Sequence, residues 1–205
     1  MIKLFLFFSL LIPCLVNAES FEFDVTMNGK SIGSHLFTLT DQDQKQRALK
    51  SEAIFNVKLL SFNVFKYHHV ADEIWDEDCL KSLEAKTQEN SKVTVVNGIQ
   101  EKSNFKVNAT KPIVIHSECV MTFAYWNPKI LAQKKLLNPQ TGEYLTSNIS
   151  HVGKETISVK GQSVEAEHYK IDTSKFKIDI WYSAEGKWLS LESLTSDGKI
   201  YYTLK

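Results

Sequence analysis

Apolar and polar residues alternate at every second position through most of this chain, and that alternation commits the backbone to extended strands. Phe21, Phe23, Val25 and Met27 interleave with Glu22, Asp24 and Thr26, the pattern of a strand with one dry and one wet face. Asn28-Gly29 follows. A two-residue type I′ turn needs positive φ at both central positions, which this pair adopts readily, so the chain returns over 32–40. The same reading predicts strands at 48–60, 62–76, 80–89, 92–97, 100–108, 112–117, 143–151, 155–160, 163–172, 176–183, 187–195 and 199–204. Asn97-Gly98, Lys160-Gly161, Glu185-Gly186 and Asp197-Gly198 are the expected turns between them.

A meander of that length must curl or close, because a flat sheet of such width leaves long edges exposed. The expected fold class is therefore all-β: a curled antiparallel meander, barrel or half-barrel, with one short α-helix. The helix is expected where alternation breaks. Asn127 suits an N-cap and Pro128 a first helical position, Lys129 to Leu137 has helix-forming composition, and Asn138-Pro139 ends it. A helix this short is marginal alone, so Ile130, Leu131 and Leu137 should dock while Lys129, Lys134 and Lys135 face water. The stretch from Phe123 to Leu137 is expected to cover one opening of the sheet, with Trp126 pointing inward.

The N-terminus carries Lys3, an apolar run from Leu4 to Val16, and then Val16-Asn17-Ala18. Small residues three and one before a cut are what signal peptidase accepts, so residues 1–18 are expected to be a signal peptide and 19–205 a single β-rich domain. The run is interrupted by Ser9 and Pro13 and is shorter than the roughly 20 apolar residues of a membrane span. No later segment is apolar enough for one, so no transmembrane segment is expected in the mature chain. Acidic and basic residues balance at 24 each, and Arg47 is the single arginine. Arginine is the usual tool for bidentate phosphate and base recognition, so nucleic acid is not an expected partner. Cys14 departs with the leader, leaving Cys79 and Cys119, and two cysteines in an exported protein usually pair.

Gly29-Lys30-Ser31-Ile32-Gly33 has the G-x-S-x-G form of serine hydrolases, but that motif works on a strand-to-helix turn, and here it lies in a hairpin. In 67–78, one strand face carries Tyr67, His69, Glu73 and Trp75. That face either lines a ligand cavity or packs against neighbours and solvent. His69 and Glu73 lie about 13 Å apart along an extended strand, too far to share an ion unaided. Asp76, Glu77 and Asp78 read as an acidic turn without the ordered spacing of a calcium loop. Phe123, Tyr125 and Trp126 either plug one end of the sheet as core or form a lid over a cavity. The candidate ligand-binding residues are therefore Tyr67, His69, Glu73, Trp75, Tyr125 and Trp126. No phosphate loop, metal site or catalytic triad is legible, and no cofactor is expected.

CVMTFAYWNPKILAQKKLLNPQTGEY (Cys119 to Tyr144), with GKSIGSHLF, YHHVADEIW and IDIWYSAEGKWLSLES elsewhere, resembles an uncharacterised family of exported bacterial proteins catalogued as a domain of unknown function. The resemblance spans essentially the whole mature chain and implies a Gram-negative, periplasmic or secreted protein. It brings no catalytic residue. The resulting expectation is non-catalytic binding or carriage of an apolar or amphipathic small molecule. The alternatives are an envelope hydrolase or other enzyme using the His69/Glu73 face, and a structural envelope protein without a pocket.

Overall fold

The computed structural model describes residues 18–43, 45–59, 62–195 and 198–205. The expected signal peptide, but for Ala18, and Asp197 of the last expected turn lie outside the described residues. The strands are β1 (Ala18–Met27), β2 (Lys30–Asp41), β3 (Gln46–Leu59), β4 (Phe62–Asp76), β5 (Cys79–Glu89), β6 (Lys92–Glu101), β7 (Asn104–Asn108) and β8 (Ile113–Ile115). After a 3-10 helix (Pro128–Ala132) come β9 (Lys135–Leu137), β10 (Tyr144–Val159), β11 (Gln162–Thr173), β12 (Lys177–Tyr182), β13 (Trp188–Thr195) and β14 (Gly198–Leu204). They form one 14-stranded antiparallel sheet, ordered from β8 back to β1, then to β14 and back to β9.

β8 and β9 are the two ends of the sheet and do not pair with each other. The chain between them spans the gap. Leu80 N–H donates to Val120 O at the β5 side, and Leu137 N–H donates to Met121 O at the β9 side, both at 2.9 Å. The Cys79–Cys119 disulfide, with Cα atoms 4.8 Å apart, anchors this segment to the β4–β5 turn. Inward residues from both halves share one large core, in which Phe23, Trp75, Phe105 and Trp188 are fully buried. Burying a large apolar side chain contributes on the order of 1.5–3 kcal/mol. A smaller cluster around Val25, Ala53, Phe55 and Tyr67 packs separately, and Tyr202 touches both.

Three expectations are corrected. The helix expected from Pro128 to Leu137 is a five-residue 3-10 turn followed by a strand. The N-cap is as expected, since Asn127 Oδ1 accepts the Lys129 N–H at 3.0 Å, but Leu136 and Leu137 are fully buried as they pair with Leu145 and Tyr144. Burial in an existing sheet outweighs the helix propensity of a short segment. Ile130 is buried and Leu131 partly so, while Lys129, Lys134 and Lys135 are exposed. Secondly, Asn97-Gly98 is not a turn but the middle of β6, and the chain reverses at 90–91 and 102–103. A Cβ on Gly98 would lie 2.5 Å from the Phe105 ring, so this glycine makes room for an aromatic side chain. Thirdly, 143–151 and 155–160 are one strand, β10, irregular between His151 and Gly153.

Candidate functional site

The inner faces of β2 to β5 carry a row of in-register residues: His35 opposite Ala53, Ala53 opposite His69, and His69 opposite Thr87. The next row inward is Phe37, Ser51, Ala71 and Ala85. Small side chains at the centre of a face otherwise filled by aromatics leave space, and a partly open cavity of about 320 Å³ lies there. Its walls include Phe37, Phe55, Phe65, Tyr67, Phe123, Tyr125, Phe176 and Tyr202, with Ile178, Leu191 and Ile200 behind them. His35, Ser51 and His69 are polar points in this wall, and Glu89 is its one formally charged residue among those described. A few polar groups in an apolar, concave wall are the usual anatomy of a small-molecule site. A second hollow lies at the β5–β8 end of the sheet, bordered by Ile99, Lys106, Pro112 and Val114.

The two cavity histidines are each held by neighbouring hydroxyl groups. His35 Nε2 lies 2.7 Å from Ser51 Oγ, and its Nδ1 is 3.4 Å from the Tyr202 hydroxyl. His69 Nδ1 lies 2.8 Å from Thr87 Oγ1. Burial lowers the pKa of both imidazoles, that of His69 to about 4 with a lesser push from His68, and that of His35 well below its usual value, with His69 adding to the effect. Both rings are neutral at neutral pH. Burial likewise raises the phenols of Tyr67, Tyr125 and Tyr202. Tyr67 stacks on Phe55 with ring centres 5.2 Å apart. Tyr125 packs on Trp188, and its carbonyl accepts the Tyr182 hydroxyl at 2.8 Å.

Of the six residues singled out from sequence, Tyr67, His69 and Tyr125 line the cavity; Glu73, Trp75 and Trp126 do not. Glu73 is buried between Leu49 and Leu83. Its Oε2 accepts the Trp75 indole N–H at 2.9 Å and the Thr122 hydroxyl at 3.4 Å. Burial raises its pKa to about 7 against these two hydrogen bonds. His69 and Glu73 bond to different partners and form no acid–base pair. Trp126 is buried with its edge against Trp75, and the Arg47 guanidinium lies 4.7 Å from its ring centre.

Phe123, read from sequence with Tyr125 as plug or lid, also lines the wall, whereas His35, Ser51, Phe176 and Tyr202 are wall residues that the sequence pattern did not single out. For His35 and Tyr202 a signal existed: each falls in the apolar phase of its strand, His35 in step with Phe37 and Leu39 and Tyr202 with Ile200 and Leu204. Ser31 is exposed on β2. Gly33 has φ 148°, and a Cβ there would lie 1.9 Å from Ile54 O, so a glycine of the G-x-S-x-G pattern serves strand packing. A further histidine, His168, has Nε2 2.6 Å from Asp179 Oδ1 and Nδ1 3.6 Å from Glu155 Oε1, and it stacks on Trp181. Asp179 thus occupies Nε2, while Glu155 Oε1, beside Nδ1, accepts the Trp181 indole N–H. Among the described residues no cluster of three or more His, Cys, Asp or Glu is placed to hold a metal ion, and no helix is long and apolar enough to cross a membrane.

Comparison with known families decides the relationship, because residues 23–205 match the family described as Domain of unknown function (DUF6134). The chain belongs to that family. The fold is shared more widely. A solved structure, the β-barrel-like protein of domain of unknown function DUF1849 from Brucella abortus, is similar with a TM-score of 0.66 at 9% sequence identity, over 93% of this chain and 96% of that one. At that identity the likeness concerns the fold alone. No curated protein matches the chain. The DUF6134 match covers both the strands that form the cavity and the segment 116–134 that spans the sheet ends.

Proposed function

We propose that this DUF6134 protein is exported to the bacterial periplasm or secreted, and that it binds and carries an apolar or amphipathic small molecule without transforming it. The observation that carries this reading is the aromatic cavity of about 320 Å³, whose two histidines are bonded to hydroxyl groups rather than to a carboxylate. An aromatic wall with few polar points rewards desolvation of a ligand. General acid–base chemistry instead asks for a group that titrates near the working pH within reach of a substrate proton, and burial holds both imidazoles neutral. Export is supported by the apolar N-terminal run ending in Val16-Asn17-Ala18 and by the Cys79–Cys119 disulfide, a bond that persists in oxidising compartments.

The test is native mass spectrometry of the full-length product purified from the periplasm of its own host. The expected spectrum shows a mass excess that is released on denaturation and is absent from Ala53→Leu, which fills the space between the two histidines. A spectrum of unliganded protein alone, or an adduct indifferent to Ala53→Leu, overturns the carrier reading.

A further inference from the structure

The chemistry of the cavity wall narrows what it takes, on the premise that the cavity is a ligand site. Among the described residues it is lined by no lysine or arginine, and Glu89 is its only carboxylate. An anionic head group would be buried without a cation, and a cationic one far from Glu89 without an anion; both are costly. A neutral ligand incurs neither cost.

The histidine pair then specifies the polarity of the contact. Both ring nitrogens of His35 already have hydroxyl partners, Ser51 and Tyr202. His69 has one partner, Thr87, through Nδ1. Thr87 is buried, and His69 Nδ1 is the hydrogen-bond partner of its hydroxyl. A buried hydroxyl hydrogen needs an acceptor, so Thr87 donates to Nδ1. The proton of neutral His69 then sits on Nε2. Among the described residues Nε2 has no hydrogen-bond partner, yet it is not one of their fully buried unpartnered side-chain atoms, which are Gln100 Oε1 and Trp126 Nε1. That edge of the ring is therefore open to the cavity His69 lines.

We propose that the ligand is a neutral, ring-containing carbonyl compound (a ketone, ester or amide) whose oxygen accepts the Nε2–H of His69 while its apolar body lies against Phe55, Tyr67, Tyr125 and Tyr202. A volume of about 320 Å³ corresponds to roughly ten molecules of liquid water at about 30 Å³ each, enough for about two linked rings.

Displacement of the neutral fluorophore N-phenyl-naphthylamine from the folded protein by three matched compounds tests this. Benzophenone carries the carbonyl, diphenylmethane lacks it, and para-benzoylbenzoate adds a negative charge. Benzophenone should bind roughly three- to tenfold more tightly than diphenylmethane, the worth of one net hydrogen bond, and more tightly than the benzoate. The preference should vanish in His69→Phe/Thr87→Val, which removes both partners so that no buried polar group is orphaned. If that variant does not fold, the ranking on the unaltered protein decides. Equal binding of ketone and hydrocarbon, or tightest binding of the benzoate, overturns the carbonyl assignment and leaves the carrier reading standing. No displacement, with an adduct still present in the native mass spectrum, also overturns the assignment alone; no displacement and no adduct overturns both.

Discussion

Trp75 donates its indole N–H to Oε2 of Glu73 across 2.9 Å, two residues back along β4 and on the same inner face, so the carboxyl is held in the core rather than in the cavity. Burial raises its pKa to about 7, above the ordinary 4.5. The folded state therefore binds this proton more tightly than the unfolded chain, and the contribution runs opposite to that of a salt-bridged acid. It is favourable below about pH 4.5 and is lost as pH rises to about 7, an effect on the order of 3 kcal/mol. Glu73→Gln keeps an acceptor for Trp75 and removes the charge. Urea unfolding should show it more stable than the unaltered protein at pH 8 and nearly equal at pH 4.

The two cavity histidines oppose this trend. Their folded pKa values are depressed, that of His69 to about 4 from 6.5, so the unfolded state gains protons first as pH falls. Stability present above pH 6.5 should be lost between about 6.5 and 4. In a Glu73→Gln background that acid-side loss should stand alone, and His69→Phe/Thr87→Val should reduce it by up to about 3 kcal/mol. An unchanged acid limb in that variant would show that His69 is not the titrating group.

Trp126 and Tyr125 are adjacent in sequence but belong to different parts of the molecule. Trp126 is packed on Trp75 under Arg47, whereas Tyr125 lines the cavity. Trp126→Ala should cost about 3–5 kcal/mol with no loss of ligand retention beyond that explained by unfolding. Tyr125→Ala should weaken retention at temperatures where the protein remains folded. Thermal denaturation paired with probe displacement separates the two.

Gly98→Ala should be destabilising by roughly 1–3 kcal/mol, because the added methyl meets the buried Phe105 ring at 2.5 Å. Phe105→Leu in the same chain should recover part of that loss. A fully additive double mutant would mean that the methyl is accommodated elsewhere.

Alkylation of unreduced protein should label neither Cys79 nor Cys119, which are bonded. Replacing both by serine frees the segment that spans the sheet ends. The closed loop, with a sequence separation of 40, corresponds to a loss of about 4 kcal/mol in the chain-entropy picture, read as a lower urea midpoint.

What the sequence determined by itself is what acts over a few residues. Alternation set the dry faces of β1 and β2, positive-φ chemistry placed turns at Asn28-Gly29 and Lys160-Gly161, and Asn127 capped its turn through a bond to Lys129. Three of the cavity residues, Tyr67, His69 and Tyr125, were legible as unusual side chains in a marked phase. Tertiary structure alone decided the rest. His35 meets His69 only because β2, β3 and β4 align both on Ala53, and register between strands is a property of the whole sheet. The segment after Ala132 becomes β9 because Leu136 and Leu137 find a core already built by distant strands. Gly98 reads as a turn residue until Phe105, seven residues on, folds back over it. The cavity itself is the space left where Ser51 and Ala53 face aromatic rings brought from the far end of the chain, and no local pattern encodes a space whose walls are assembled only when the sheet curls.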